Sequence, residues 1–127
     1  MAEQIARFRF LGYKILDSHI QVAPDKEIGK QFNVSFDQTT GVNEGDLKMR
    51  LVLSAKIVDT NNAMHIEVKS EGYFEFEKEI TDDERKVFFN TSAPAILFPY
   101  IRAYISALTS LSGINPVILP TLNLSKR

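Results

Sequence analysis

The residues able to do chemistry are few and scattered. The two histidines, His19 and His65, fall on different predicted strands. A nucleophile needs a base held within hydrogen-bond reach, and no such signature adjoins either histidine. The chain has no cysteine, which excludes disulfides and thiolate zinc sites. Its six glycines are dispersed through turns, so no loop reads as a phosphate cradle. Two acidic clusters, Glu75/Glu77/Glu79 and Asp82/Asp83/Glu84, hold carboxylates of the kind used in general acid–base work. Their spacing instead reads as a solvated strand face and the first turn of a helix. Asn-x-Ser matches at Asn33, Asn90 and Asn123 are not accompanied by a secretory signal. The expectation is a protein that is not an enzyme and uses no metal and no cofactor.

What stands out is apolar and aromatic surface. There are nine phenylalanines and no tryptophan. Phe32, Phe36, Phe74 and Phe76 lie at alternating strand positions, and Met64 is a flexible side chain able to adapt to varied neighbours. These five are the candidate peptide-binding residues, read as walls of a groove that accepts apolar segments of another chain.

The elements that position them are set by hydrophobic period. Residues 5–22 read as a strand in which neither parity stays apolar throughout. A bulge or bend near Gly12 or Asp17 would switch the face. "QFNVSFDQ" alternates, with Phe32, Val34 and Phe36 on one side. In "LKMRLVLSAKIV" the inward set is Leu47, Met49, Leu51, Leu53, Ala55 and Ile57. After the turn "DTNN", Met64, Ile66 and Val68 point inward, and beyond Gly72 so do Phe74, Phe76 and Ile80. These are consecutive antiparallel strands, each with one apolar face.

The pattern then changes. Thr81 and Glu84 form a capping box, with Asp82 and Asp83 suiting a helix N-terminus, and a short helix is expected to about Phe89. "NTSAP" should break it, with Ser92 capping a second helix and Pro94 tolerated in its first turn. From Ala95 to Leu111 that helix is apolar nearly all round, with Leu97, Ile101, Tyr104, Leu108 and Leu111 as one stripe and Phe98, Ile105 and Ala107 widening it. One small sheet can cover only one side of such a helix, so a homo-oligomer is expected. Gly113 ends the helix, and "INPVILPTLNL" reads as extended. Strands followed by helices give an α+β fold in a single domain, residues 1–127.

Charge sets further bounds. The net charge is −1 at 127 residues, which argues against nucleic acid or an anionic membrane as partner. All 16 Asp and Glu lie at or before Glu84, and between Thr91 and Leu124 the only charge is Arg102. This charge-poor third is not a membrane span, since Pro94, Pro99, Pro116, Pro120 and several serines interrupt it. No signal peptide precedes the first strand, and the expected location is cytoplasmic.

The stretch "APAILFPYIRAYISALTSLSGINPVILPTLNL" resembles the C-terminal part of SecB, the bacterial protein-export chaperone. Ile96, Leu97, Phe98, Pro99, Tyr100 and Arg102 match the family's helix start. Ser106, Gly113, Pro116, Leu119 and Pro120 match the family's later helix serine, its Gly-containing break and its Pro-punctuated extended segment. "IEVKSEGYF" looks like a family strand through Glu67, Val68, Gly72 and Phe74, and "VAPDKE" like the end of the family's first strand.

The resemblance implies a four-stranded antiparallel sheet with a short helix and one long helix after it, assembled as a dimer of dimers. It implies an ATP-independent holdase that binds unfolded clients and can hand them to the SecA motor. Met64, Ile66, Val68 and Ser70 correspond to assembly positions, and Leu97, Ile101, Ile105 and Leu108 of the long helix are placed at the oligomer interface. Asp17 and Glu67 correspond to SecA-contacting acids. The chain reaches "NLSKR" where the family has a C-terminal helix and an acidic tail, so the resemblance is to a short variant. The alternatives are a dedicated chaperone of one client, such as an antitoxin, and a non-chaperone oligomeric interaction module.

Overall fold

The computed structural model describes residues 8–42 and 47–120. The start of the strand expected over 5–22, Asn123 and the end of the extended segment beyond Pro120 lie outside the described residues.

Four strands form one antiparallel sheet: β1 (Phe8–Val22), β2 (Phe32–Val42), β3 (Lys48–Asp59) and β4 (Met64–Phe76), in the order β1-β4-β3-β2. The alternation read from sequence is the alternation of burial. Met49, Leu51, Leu53, Ala55 and Ile57 on β3 are buried, as are Met64, Ile66, Val68, Phe74 and Phe76 on β4. Two register shifts in β1 account for its mixed parity. They fall between Phe10 and Gly12 and between Ile15 and Asp17, making Leu11 and Leu16 the extra residues. Each shift returns the strand's apolar set to the inner face, so that Phe8, Phe10, Tyr13, Ile15 and Ile20 lie opposite inward positions of β4. The strand pattern beyond Phe76 does not hold. β4 ends there, and Ile80 packs against the core from outside the sheet.

Because β1 pairs with β4, the 23–31 connection must cross one end of the sheet to reach β2. Asp59 holds it there. Its buried carboxylate accepts hydrogen bonds from the N–H of Gly29 (2.7 Å), Ala63 (2.6 Å) and Met64 (2.8 Å). Burial, the largest influence, pushes this carboxyl's pKa up; the N–H groups of Gly29, Met64, Ala63 and Asn61 outweigh it and hold the pKa below its ordinary value.

The capping box forms as read, with Thr81 and Glu84 exchanging hydrogen bonds at the start of α1 (Asp82–Val87). The expected break does not. Ser92 is helical and makes no side-chain cap, and a π-helical turn over Phe88–Ser92 joins α1 directly to α2 (Ala93–Leu111). Pro94 is compatible with this widened turn. It cannot donate to a carbonyl four residues back, and its ring would crowd that carbonyl. Widening the turn, with Ala93 N–H reaching Phe88 O, accommodates the ring without ending the helix.

α2 ends in a Schellman motif at Gly113 (φ 85°), with Gly113 N–H donating to Ser110 O and Ile114 N–H to Thr109 O. Leu97, Ile101 and Ile105 are fully buried on the inner face of the sheet. The helix comes so close at Gly72 that a Cβ there would sit 3.2 Å from a Leu97 methyl. Among the described residues, no helix is long and apolar enough to cross a membrane.

Candidate functional site

α2 lies over the sheet with two different flanks. On the β1 side, the Tyr100 ring lies 4.9 Å from Tyr13 and 5.4 Å from Phe10, and Tyr104 Oη donates to Ser18 Oγ at 2.9 Å. Beneath this ridge is an aromatic cluster. Phe88 from the π-helical turn packs edge-on against Phe8 (4.3 Å), Phe76 (4.7 Å) and Phe74 (5.4 Å). The widened turn thus delivers Phe88 into the core. Tyr13 and Tyr100, at 37% and 42% exposure, are its uncovered edge.

The opposite flank faces β2. Phe98 packs edge-on against Phe36 at 5.2 Å, and Gln38 Nε2 donates to Phe89 O. By the 100° helical spacing, Arg102, Ser106 and Thr109 continue on from Phe98 around the helix. All three bond to main-chain atoms of the extended segment after the helix. Arg102 Nε donates to Leu119 O (2.6 Å) and Ser106 Oγ to Val117 O (2.9 Å), while Thr109 Oγ1 accepts from Val117 N–H (2.8 Å). Residues 114–120 therefore form a strap running back along α2. Val117 and Leu119 are buried in the core and Ile118 points out.

The five candidate peptide-binding residues are not brought together. Phe32 and Phe36 lie along β2, with Phe32 36% exposed and Phe36 partly buried. Phe74 and Phe76 are inside the aromatic cluster under the β1-side flank. Met64 is buried at the far end, opposite Val22 and next to the Asp59 network. Of the candidate interface residues, Ile66, Val68, Ser70, Leu97, Ile101 and Ile105 are buried within a single chain, and Ser70 Oγ donates to Leu53 O. Leu108 is partly buried. α2 leaves exposed, besides Tyr100 and Ser110, a different row, Ala95, Pro99, Ala103, Ala107 and Leu111, at four-residue spacing and without a charge.

The outer face of the sheet is a charge ladder. Arg9 pairs with Glu75, Arg50 with Glu71 (3.8 Å), and Glu67 with both Lys56 (3.4 Å) and His65 (3.6 Å). For Glu67, partial burial pushes the pKa up, but Lys56 and then His65 outweigh it and lower the pKa. Tyr73 Oη donates to Glu71 Oε1, which, together with partial burial, raises the phenol's pKa. His19 lies opposite Glu67, and Asp17 opposite Lys69. The histidines thus share one face. Among the described residues, no three metal-ligating side chains come together.

The model of one family, preprotein translocase subunit SecB, matches residues 14–126. The chain belongs to the SecB family. A SecB protein of Saccharophagus degradans is 31% identical over 98 residues, which is 73% of this chain and 58% of that protein. One from Aromatoleum aromaticum is 26% identical over 129 residues, 96% of this chain and 80% of that protein. An uncharacterized protein of Methanocaldococcus jannaschii is 29% identical over 117 residues, covering 88% and 75% of the two chains.

Among solved structures, the SecB-like chaperone of Mycobacterium tuberculosis, in complex with a peptide from an antitoxin, superposes with a TM-score of 0.78 at 17% identity, covering 92% of this chain and 88% of that one. The SecB fold, a four-stranded antiparallel sheet with a short and a long helix after it, is therefore the fold of this chain.

Sequence reasoning missed the strap's anchors. Arg102 is the lone charge in the apolar third, and Val117 and Leu119 alternate between Pro116 and Pro120. Those two features were the available signal. The π-helical turn and Asp59 carried no sequence signal beyond Pro94 and a polar turn.

Proposed function

We propose that this SecB-family protein is an ATP-independent holdase that binds unfolded polypeptides through apolar surface on the helix side of its sheet. The family match over residues 14–126 carries the reading. The distribution of polarity supports it. Charges are paired across the outer face, while the uncovered aromatic rings of Tyr13 and Tyr100 meet beside α2 and Phe32 is exposed on the edge strand β2. Such surface can take up apolar client segments without chemistry. The SecB-like chaperone of M. tuberculosis, in complex with its antitoxin peptide, supports the binding of client peptides by this fold. Phe32 and Phe36 are the groove residues best placed for it, being incompletely covered.

Assembly belongs to the same reading. A second copy covers the exposed row from Ala95 to Leu111, whose small side chains let another helix approach closely, and a dimer of dimers in the cytoplasm is the expected form. The test is suppression of aggregation of an unrelated denatured protein, without nucleotide. Full suppression at stoichiometric oligomer is expected; no effect at that ratio refutes the holdase reading.

A single dedicated client, such as an antitoxin, is the second reading. The observation that favours it is on the outer face, where Glu67 is paired with Lys56 and has His65 Nε2 at 3.6 Å, and Asp17 lies opposite Lys69. A SecA contact through Glu67 would have to displace Lys56. Capture of one abundant client from the native host, against a broad set of precursors, separates the two roles.

A further inference from the structure

The strap has the form of a bound peptide. It is extended, buries alternate aliphatic side chains at Val117 and Leu119, and turns Ile118 outward at 69% exposure. The helix holds it by its main chain: Arg102 and Ser106 donate to the carbonyls of Leu119 and Val117, and Thr109 accepts from Val117 N–H. None of these bonds reads a side chain, so they would serve any extended segment with aliphatic residues at alternate positions.

Thr109 is fully buried. Its hydroxyl donates within the helix to Ile105 O or Ser106 O, which leaves its acceptor capacity for the strap. Arg102, the lone charge of the apolar third, is spent on a main-chain carbonyl. The three polar anchors spaced along one helix flank satisfy main-chain groups that any extended segment lying there would present, whatever its side chains.

We propose that residues 114–120 are an internal stand-in for client. The strap occupies, and thereby masks, a peptide-binding groove along the Phe98–Arg102–Ser106–Thr109 flank of α2, and an unfolded polypeptide with alternating aliphatic residues displaces it. The proposal rests on the holdase reading and adds to it a site and a form of autoinhibition. Client affinity is then the groove's intrinsic affinity reduced by the fraction of molecules whose strap is lifted. Weakening the strap while leaving the groove intact should tighten binding.

The test uses a labelled, permanently unfolded polypeptide, reduced and alkylated, with binding followed by anisotropy and the strap by amide exchange. At saturation, exchange of the Val117 amide should rise at least tenfold. Leu119→Ser, which leaves Arg102, Ser106 and Thr109 in place, should tighten binding about tenfold, the scale expected for losing a buried leucine from the competing strap. Binding with Val117 protection unchanged, or weaker binding by Leu119→Ser, overturns the proposal. The exchange measurement needs only the natural chain, so it decides the matter even where the variant folds poorly. No binding of the polypeptide at all overturns the holdase reading itself, a result distinct from binding without displacement.

Discussion

Asp59 is the residue whose removal should cost this subunit most for its size. Replacing it with alanine leaves the N–H groups of Ala63 and Met64 without their acceptor in a buried setting, and that of Gly29 in a partly buried one. An unsatisfied buried donor costs about 1–3 kcal/mol. The two buried donors give about 2–6 kcal/mol, with Gly29 able to recover a water. Against a typical domain stability of about 5–15 kcal/mol, that is a large share. Asp59→Asn should cost less, because its one carbonyl oxygen can still accept from Ala63 and Met64 while its amide opposes the Gly29 donor.

Acid should separate the variants further. The folded carboxyl titrates below its ordinary value of 3.8, so its stabilisation is fully present above the unfolded value and is lost as pH falls through the folded one. Urea unfolding at fixed protomer concentration, from neutral pH down to about pH 2, measures both effects. The natural chain should lose stability over the acid range more steeply than Asp59→Asn. A loss below about 1 kcal/mol for Asp59→Ala at neutral pH, or identical acid slopes for the natural chain and Asp59→Asn, would refute the reasoning.

Two further substitutions probe α2. Ala103→Glu places a charge in the middle of the exposed row and should leave subunit stability within about 0.5 kcal/mol while shifting sedimentation to smaller species; an unchanged oligomer would exclude this row from the interface. Gly72→Val brings a Cβ to about 3.2 Å from a Leu97 methyl and should cost about 1–3 kcal/mol by overpacking, part of which Leu97→Ala restores; additive losses in the double variant would mean the close approach is not the cause.

Where the sequence was legible, period did the work. Strands β3 and β4 alternate without exception because each has one wet and one dry face, so sequence parity translates directly into burial. The two bulges of β1 were legible as broken parity, and the capping box of α1 as a local motif. The π-helical turn was not, because Pro94 is compatible both with a new helix start and with a widened turn, and only the packing of Phe88 against Phe8, Phe74 and Phe76 selects the second. Aromatic type likewise could not separate core from groove. Phe74 and Phe36 have the same side chain and the same strand parity, but β4 is central and β2 lies at the sheet's edge. Edge position is set by the crossover from β1, a long-range pairing that no window of sequence contains.

The all-round apolarity of α2 has a more specific explanation than two-sided burial between subunits. One side, through Leu97, Ile101 and Ile105, is spent on the sheet of its own chain. A second, through Arg102, Ser106 and Thr109, is spent on the strap. The exposed row from Ala95 to Leu111 remains for a partner, and it ends in Leu111 at 87% exposure. On the proposed reading, assembly and client binding, which hydrophobic pattern alone puts on one surface, fall on different sides of the same helix. A small-residue row suits a permanent helix neighbour, because it gains from close backbone approach. Side chains that bond to main-chain atoms suit an exchangeable occupant, because they do not depend on its sequence. An assembled oligomer could then release its straps without loosening the contacts that hold it together.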